Sequence, residues 1–159
     1  MLLMSMRLYL VLPAVCLLLL SGCGGQQLPE GMPKLTPVVL TIMQDGAPLE
    51  GAVISLLPED TASRWNAGGV TDKNGKAKMK TLAQYDGVAA GKYKVTVVKT
   101  FVEPQPDWWA TGTEAQRRAY KSPPPVEQVH KNFADKKTTP LELEVATAPV
   151  NETLEVEKP

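Results

Sequence analysis

Gly91-Lys92-Tyr93-Lys94-Val95-Thr96-Val97-Val98-Lys99 decides the fold class. Tyr93, Val95 and Val97 fall on one side of an extended chain, and Lys92, Lys94 and Thr96 on the other. A period of two with one apolar side is the pattern of a strand that buries a single face. The same alternation returns near the end of the chain. Leu141, Leu143 and Val145 alternate with Glu142 and Glu144, and Leu154 and Val156 with Glu155 and Glu157. Upstream, residues 37–44 (PVVLTIMQ) are rich in β-branched side chains and read as a strand. Asp45-Gly46 is a strong hairpin signal. Residues 51–57 (GAVISLL) form a second strand, 69–71 a short one, and 76–82 a returning one after the turn Asp72-Lys73-Asn74-Gly75, where a type I′-like geometry is expected at Asn74-Gly75. Six or seven short strands separated by Gly, Pro and Asp turns predict an all-β, antiparallel β-sandwich.

Composition narrows what such a sandwich does. Basic and acidic residues balance at 17 each, which offers no electrostatic case for nucleic acid, whose binding requires a clustered basic surface. The cysteines are Cys16 and Cys23, both within the first two dozen residues. A disulfide, a cysteine metal site or a cysteine nucleophile in the folded domain is therefore not expected.

The N-terminal stretch reads as an address. Arg7 precedes an apolar run from Leu8 to Leu20, broken only by Pro13, and small residues follow from Ser21 to Gly25. A positive start, a short apolar core and a small-residue exit are the layout of a secretory signal peptide. The run is shorter than the roughly 20 residues a spanning helix needs. Leu20-Ser21-Gly22-Cys23 resembles a bacterial lipobox, which implies cleavage between Gly22 and Cys23 and acyl chains (a diacylglyceryl thioether, and palmitate-type N-acylation) on Cys23. Two or three chains would hold the protein on a bilayer, since each buried CH₂ contributes about 0.8 kcal/mol. Gly24 stands where the lipoprotein family commonly carries an Asp as its inner-membrane retention signal, which points to the outer membrane. Residues 1–22 are then the lipoprotein signal peptide and 23–36 a lipidated tether with Pro29 and Pro33, semi-rigid by its prolines. Residues 37–157 form the single β-sandwich domain, within a mature chain of 137 residues.

The run of residues 39–44, Asp45-Gly46-Ala47-Pro48-Leu49-Glu50-Gly51-Ala52, Thr71-Asp72-Lys73-Asn74-Gly75-Lys76 and residues 91–97 resembles the carboxypeptidase regulatory-like domain. The spacing is similar to that of the small lipoproteins of this class from planctomycetes and related bacteria, and Phe133-Ala134-Asp135-Lys136-Lys137-Thr138-Thr139-Pro140-Leu141 resembles their closing segment. The resemblance implies a transthyretin-like, seven-stranded sandwich. It brings no zinc ligands and no catalytic domain.

The departure from that pattern is an insert over residues 100–129, long enough to be read as a functional loop. It opens with Glu103-Pro104-Gln105-Pro106-Asp107, carries Trp108-Trp109, and ends in Pro123-Pro124-Pro125, where polyproline II geometry is expected. Thr113 with Gln116 makes a capping-box pattern that predicts a short helix over 114–120. Trp108, Trp109 and Tyr120 are the candidate binding residues, an aromatic platform for a sugar ring or a peptide. The plainer reading is that one tryptophan plugs the open edge of the sandwich.

Other candidates carry less. His130 is the single histidine, so neither a His-based triad nor a multi-histidine metal site can be built in one chain. Asp72-Lys73-Asn74-Gly75 starts like a calcium loop but turns at once into basic, strand-like residues. Glu142/Glu144 and Glu155/Glu157 would bring carboxylates together only if their strands pair, and solvated outward charges that protect a sheet edge explain them adequately. No phosphate loop or serine elbow is present. The expectation is a non-enzymatic, lipid-anchored sandwich without cofactor or metal, structural or adhesive, binding protein or cell-surface glycan. The alternatives are a small-molecule or sugar carrier using Trp108 and Trp109, and an enzyme with a carboxylate site.

Overall fold

The structure is a computed structural model that describes residues 28–61 and 63–159. The signal peptide and the Gly22/Cys23 lipidation site lie outside the described residues.

The chain is an all-β sandwich. One layer has at its centre β2 (Val38–Gln44), flanked by β14 (Val150–Val156) and by the short β3 (Ala47–Pro48) and β6 (Lys76–Lys78). The other runs in the order β13 (Glu142–Val145), β10 (Gly91–Val98), β4 (Val53–Pro58), β5 (Ala67–Val70), β7 (Lys80–Thr81), β8 (Tyr85–Asp86). All seven strand positions expected from the alternating pattern are occupied by strand. On the inner faces, Leu40 and Ile42 from the first layer meet Ile54, Leu56, Val95 and Val97 from the second, all fully buried.

Three local features differ from the sequence reading. Asp45 (φ 53°) and Gly46 (φ 75°) both occupy the left-handed region, as a type I′ hairpin needs, but the returning strand β3 is only two residues long. The chain then crosses to the other layer, so β2 and β4 are not partners. Thr71 pins this crossing: its hydroxyl donates to Leu49 O at 2.6 Å and accepts from Ala52 N at 2.8 Å. Second, the sandwich is not wholly antiparallel. β14 lies parallel to β2, Val150 opposite Val38 through Val156 opposite Gln44, because the chain leaves β13, changes layer over residues 146–149 and enters at the end where β2 begins. Third, Asn74-Gly75 is not a type I′ turn. Gly75 alone has positive φ (72°), and its N–H donates to Asp72 O at 2.9 Å, the pattern of a three-residue turn closed by a glycine bulge.

The strand at residues 76–81 changes layers at Met79: β6 pairs with β2 and β7 with β5, which joins the two sheets along one side. The opposite side is closed by residues 128–141. There His130 N–H donates to Glu157 O at 2.8 Å and Thr139 Oγ1 to Val95 O at 2.6 Å, while Phe133 enters the core. The boundary of the packed domain also lies earlier than composition suggested. Leu35 and Thr36, read as tether, form β1 (Leu35–Thr36) and pair with β9 (Val88–Ala89).

These registers give the domain two poles. Residues 35–37, Ala89, Gly91 and residues 146–149 meet at one: Thr36 Oγ1 donates to Ala146 O at 2.9 Å and Val150 N to Pro37 O at 3.0 Å. From there β2, β10 and β14 all run to the other pole, where Gln44 Nε2 donates to Gln128 O at 2.8 Å and Gln128 N to Lys99 O. An eight-residue strand such as β10 separates the poles by about 27 Å.

Candidate functional site

The far pole carries the insert. β10 continues through Lys99 into β11 (Thr100–Phe101), which pairs with β12 (Val126–Glu127), so the insert leaves the sandwich on a two-stranded stem. Beyond the stem a 3₁₀ turn over Asp107–Trp109 leads into helix α1 (Glu114–Ala119). The capping box forms as expected: Thr113 Oγ1 accepts from Gln116 N at 3.3 Å and Gln116 Oε1 from Thr113 N at 2.8 Å.

Trp108, Trp109 and Tyr120, singled out from sequence, come together here. Ring centroids lie 6.0 Å apart for Trp108–Trp109, 5.7 Å for Trp108–Tyr120 and 5.8 Å for Trp109–Tyr120, the last two edge to face. All three separations are those of rings in direct contact. The loop backbone holds them in place. Arg117 Nη1 donates to Gly112 O at 2.7 Å and to Trp109 O at 3.2 Å. Gly112 is packed so closely that a Cβ there would sit 2.7 Å from Trp108 Cε3. Trp108 remains 38% exposed and Trp109 and Tyr120 half-buried, and none belongs to the core. The edge plug is Phe133 instead, because the closing segment runs beside β10 and turns inward there, while the stem carries the tryptophans past the end of the sandwich.

Sequence reasoning missed a second feature of this pole. Val70, Val53 and Val98 are direct cross-strand partners on β5, β4 and β10, and all three are exposed on the outer face. Phe101 and Val126 face each other across the stem and are half exposed or more, and Val102 follows them. Of eight exposed large hydrophobics among the described residues, seven lie at this pole, and Leu82 is the exception. The strand registers, which sequence spacing does not give, are what align them. A concentration of exposed apolar side chains marks an interaction surface.

The remaining candidates have structural roles. His130 Nδ1 accepts from Asn132 N at 3.3 Å and caps the 3₁₀ turn Lys131–Ala134. The Asp72 carboxylate accepts from the N–H groups of Lys76 (3.0 Å) and Asn74 (2.8 Å), which together hold it below the usual carboxylate range. Both bonds use one oxygen to close a turn rather than to surround a cation. The strand pairing that would gather the glutamates does not occur, since β13 pairs with β10 in one layer and β14 with β2 in the other. Glu142 is bonded to Lys94, and that hydrogen bond lowers its pKa, while Glu155 Oε1 accepts from Gly46 N at 3.2 Å. Among the described residues, no three His, Cys, Asp or Glu side chains are grouped to hold a metal.

No protein-family model and no curated protein matches the chain. Among solved structures the chain is similar to the major pilin subunit of Bacillus cereus, at 17% identity and a TM-score of 0.45, over 80% of this chain and 31% of that one. It is also similar to a 9R-lipoxygenase from Cyanothece PCC8801, at 15% identity and a TM-score of 0.38, over 83% of this chain and 18% of that one. The chain thus spans less than a third of the length of either.

Proposed function

We propose that the chain is a non-catalytic, lipid-anchored sandwich of the carboxypeptidase regulatory-like class. It is held by acyl chains on Cys23 at the outer membrane and presents its far pole to protein or glycan partners. The observation that carries this reading is the opposition of the two poles. The segment leading back toward Cys23 enters at β1, and the exposed apolar side chains and the aromatic loop lie at the other end of β2 and β10. Residues 28–34 stay near the entry pole, where a Cβ at Gly31 would lie 3.7 Å from Arg64 Nη2 and the Arg64 guanidinium sits 5.0 Å over the Trp65 ring. An interaction surface placed away from the tether suits structural or adhesive work at a membrane. The two pairs of glutamates lie in different layers; Glu142 and Glu144 share a concavity with Glu59, Lys92 and Tyr93, but Glu142 is tied to Lys94 and its pKa is lowered, the opposite of what a general acid needs.

The anchor is tested by metabolic labelling with palmitate. The wild-type chain is expected to incorporate label and to fractionate with membranes. Cys23→Ser is expected to do neither, and a labelled or membrane-bound Cys23→Ser chain would contradict the anchor.

A further inference from the structure

Resting on that reading of the far pole, we infer that Trp108, with Trp109 and Tyr120 behind it, is a stacking platform for the pyranose rings of a neutral polysaccharide. Geometry first excludes a cage. Three centroids 5.7–6.0 Å apart are already in ring-to-ring contact, so the space among them is filled and a quaternary ammonium has no room. A ligand can use only the outward surface of the cluster.

Taken apart from the valine face, the aromatic cluster has the scale of a single ring. A tryptophan 38% exposed offers on the order of 100 Å², a small part of the roughly 800 Å² that a specific protein interface takes from each partner. One indole face matches one sugar ring, whose axial C–H groups carry partial positive charge toward the negative π face. Polar handles stand around it. Trp108, Trp109 and Tyr120 take part in the hydrogen bonds of the loop through their backbones, which leaves two indole N–H groups and the Tyr120 hydroxyl for sugar hydroxyls.

Charge favours a neutral sugar, because the exposed Asp107 before Trp108 and the exposed Lys121 after Tyr120 offset each other. Of the other cations nearest in sequence, Arg117 is engaged with the carbonyls of Trp109 and Gly112 and Arg118 with Glu114. Asp107 precedes Trp108 and is exposed, so an acidic sugar would meet a carboxylate. The platform is also fixed before any ligand arrives, by the Arg117 bonds, the Thr113–Gln116 capping box and the close approach of Gly112.

The test uses the full chain in lipid nanodiscs, titrated with cellohexaose, maltohexaose and chitohexaose and followed by tryptophan fluorescence and calorimetry. At least one hexaose is expected to saturate the chain. Trp108→Ala is expected to weaken it tenfold or more at an unchanged melting temperature, and Tyr120→Phe, which keeps the ring, two- to fivefold. Leu82→Asn, away from this pole, is expected to bind as wild type, and the valine double variant Val53→Thr/Val98→Thr separates the sheet face from the platform. No saturable change up to 10 mM with any of the three, or affinity indifferent to Trp108→Ala, overturns the platform. Loss of binding only in the valine double variant overturns it in favour of the sheet face. A chain that binds no hexaose but stays on membranes refutes the platform and leaves the anchored module standing; one that binds a hexaose yet leaves the membrane refutes the anchor and supports the platform.

Discussion

Tyr93 heads the fully buried side chains of the core, and its hydroxyl donates to Ala89 O at 2.7 Å. Burial raises its pKa above the ordinary 10.0. A raised folded value means the contribution is fully present below pH 10 and lost as pH climbs through that value. Tyr93→Phe removes the bond and leaves the Ala89 carbonyl without it, an expected cost of about 1 kcal/mol of unfolding free energy, measured by urea denaturation at pH 7. The same variant is expected to lack the Tyr93 part of the alkaline transition. Asp72 has the opposite sign. Its pKa is lowered, so its contribution is present above about pH 4 and lost as pH falls through the folded value. Asp72→Ala is therefore expected to lower the urea midpoint at pH 7 and to show a shallower acid decline. Leu82 (φ 52°) and Ala83 (φ 59°) occupy the left-handed region at the turn between β7 and β8, where Gln84 N donates to Thr81 O. Side chains with a Cβ are disfavoured there by about 1 kcal/mol each. Leu82→Asn/Ala83→Gly is expected to raise stability by about 1–2 kcal/mol, measured by chemical denaturation.

At the scale of elements, the alternating segments were legible because a half-buried strand writes its two faces into the sequence: Tyr93, Val95 and Val97 are buried as their spacing requires. The capping box was legible for the same local reason, since Thr113 and Gln116 satisfy each other within one turn. The pairing of those elements was not legible. Nothing local in Val150–Val156 distinguishes a parallel from an antiparallel neighbour, and nothing in Lys76–Thr81 announces a change of sheet at Met79. Of the site, the aromatic residues could be named from sequence because three large rings stand out in one polar insert, but their spacing does not settle whether a tryptophan enters the core. Their contact geometry depends on Gly112 and Arg117, whose partners are fixed only by the folded turn. Gly112→Ala tests that dependence directly. Its Cβ would collide with the Trp108 ring, so near-ultraviolet circular dichroism of the loop is expected to change while the unfolding midpoint of the sandwich stays put.

At the scale of the molecule, Phe133 and the loop aromatics divide two jobs that sequence alone could have given to either. Phe133 closes the core at the edge left by β13 and β14, and Phe133→Ala is expected to cost about 3–5 kcal/mol, a large part of the 5–15 kcal/mol typical of a domain. The tryptophans are thereby released to the far pole. Trp65 lies before β5 near the entry pole, so the three tryptophans mark both ends of the domain. Energy transfer to dansyl headgroups, with the full chain anchored in vesicles, measures which end faces the lipid. A Trp65-only variant (Trp108→Phe/Trp109→Phe) is expected to transfer strongly, and a Trp108-only variant (Trp65→Phe/Trp109→Phe) weakly, across the roughly 27 Å length of β10. Equal transfer, or stronger transfer from Trp108, would put the aromatic loop on the bilayer and contradict its presentation away from the membrane.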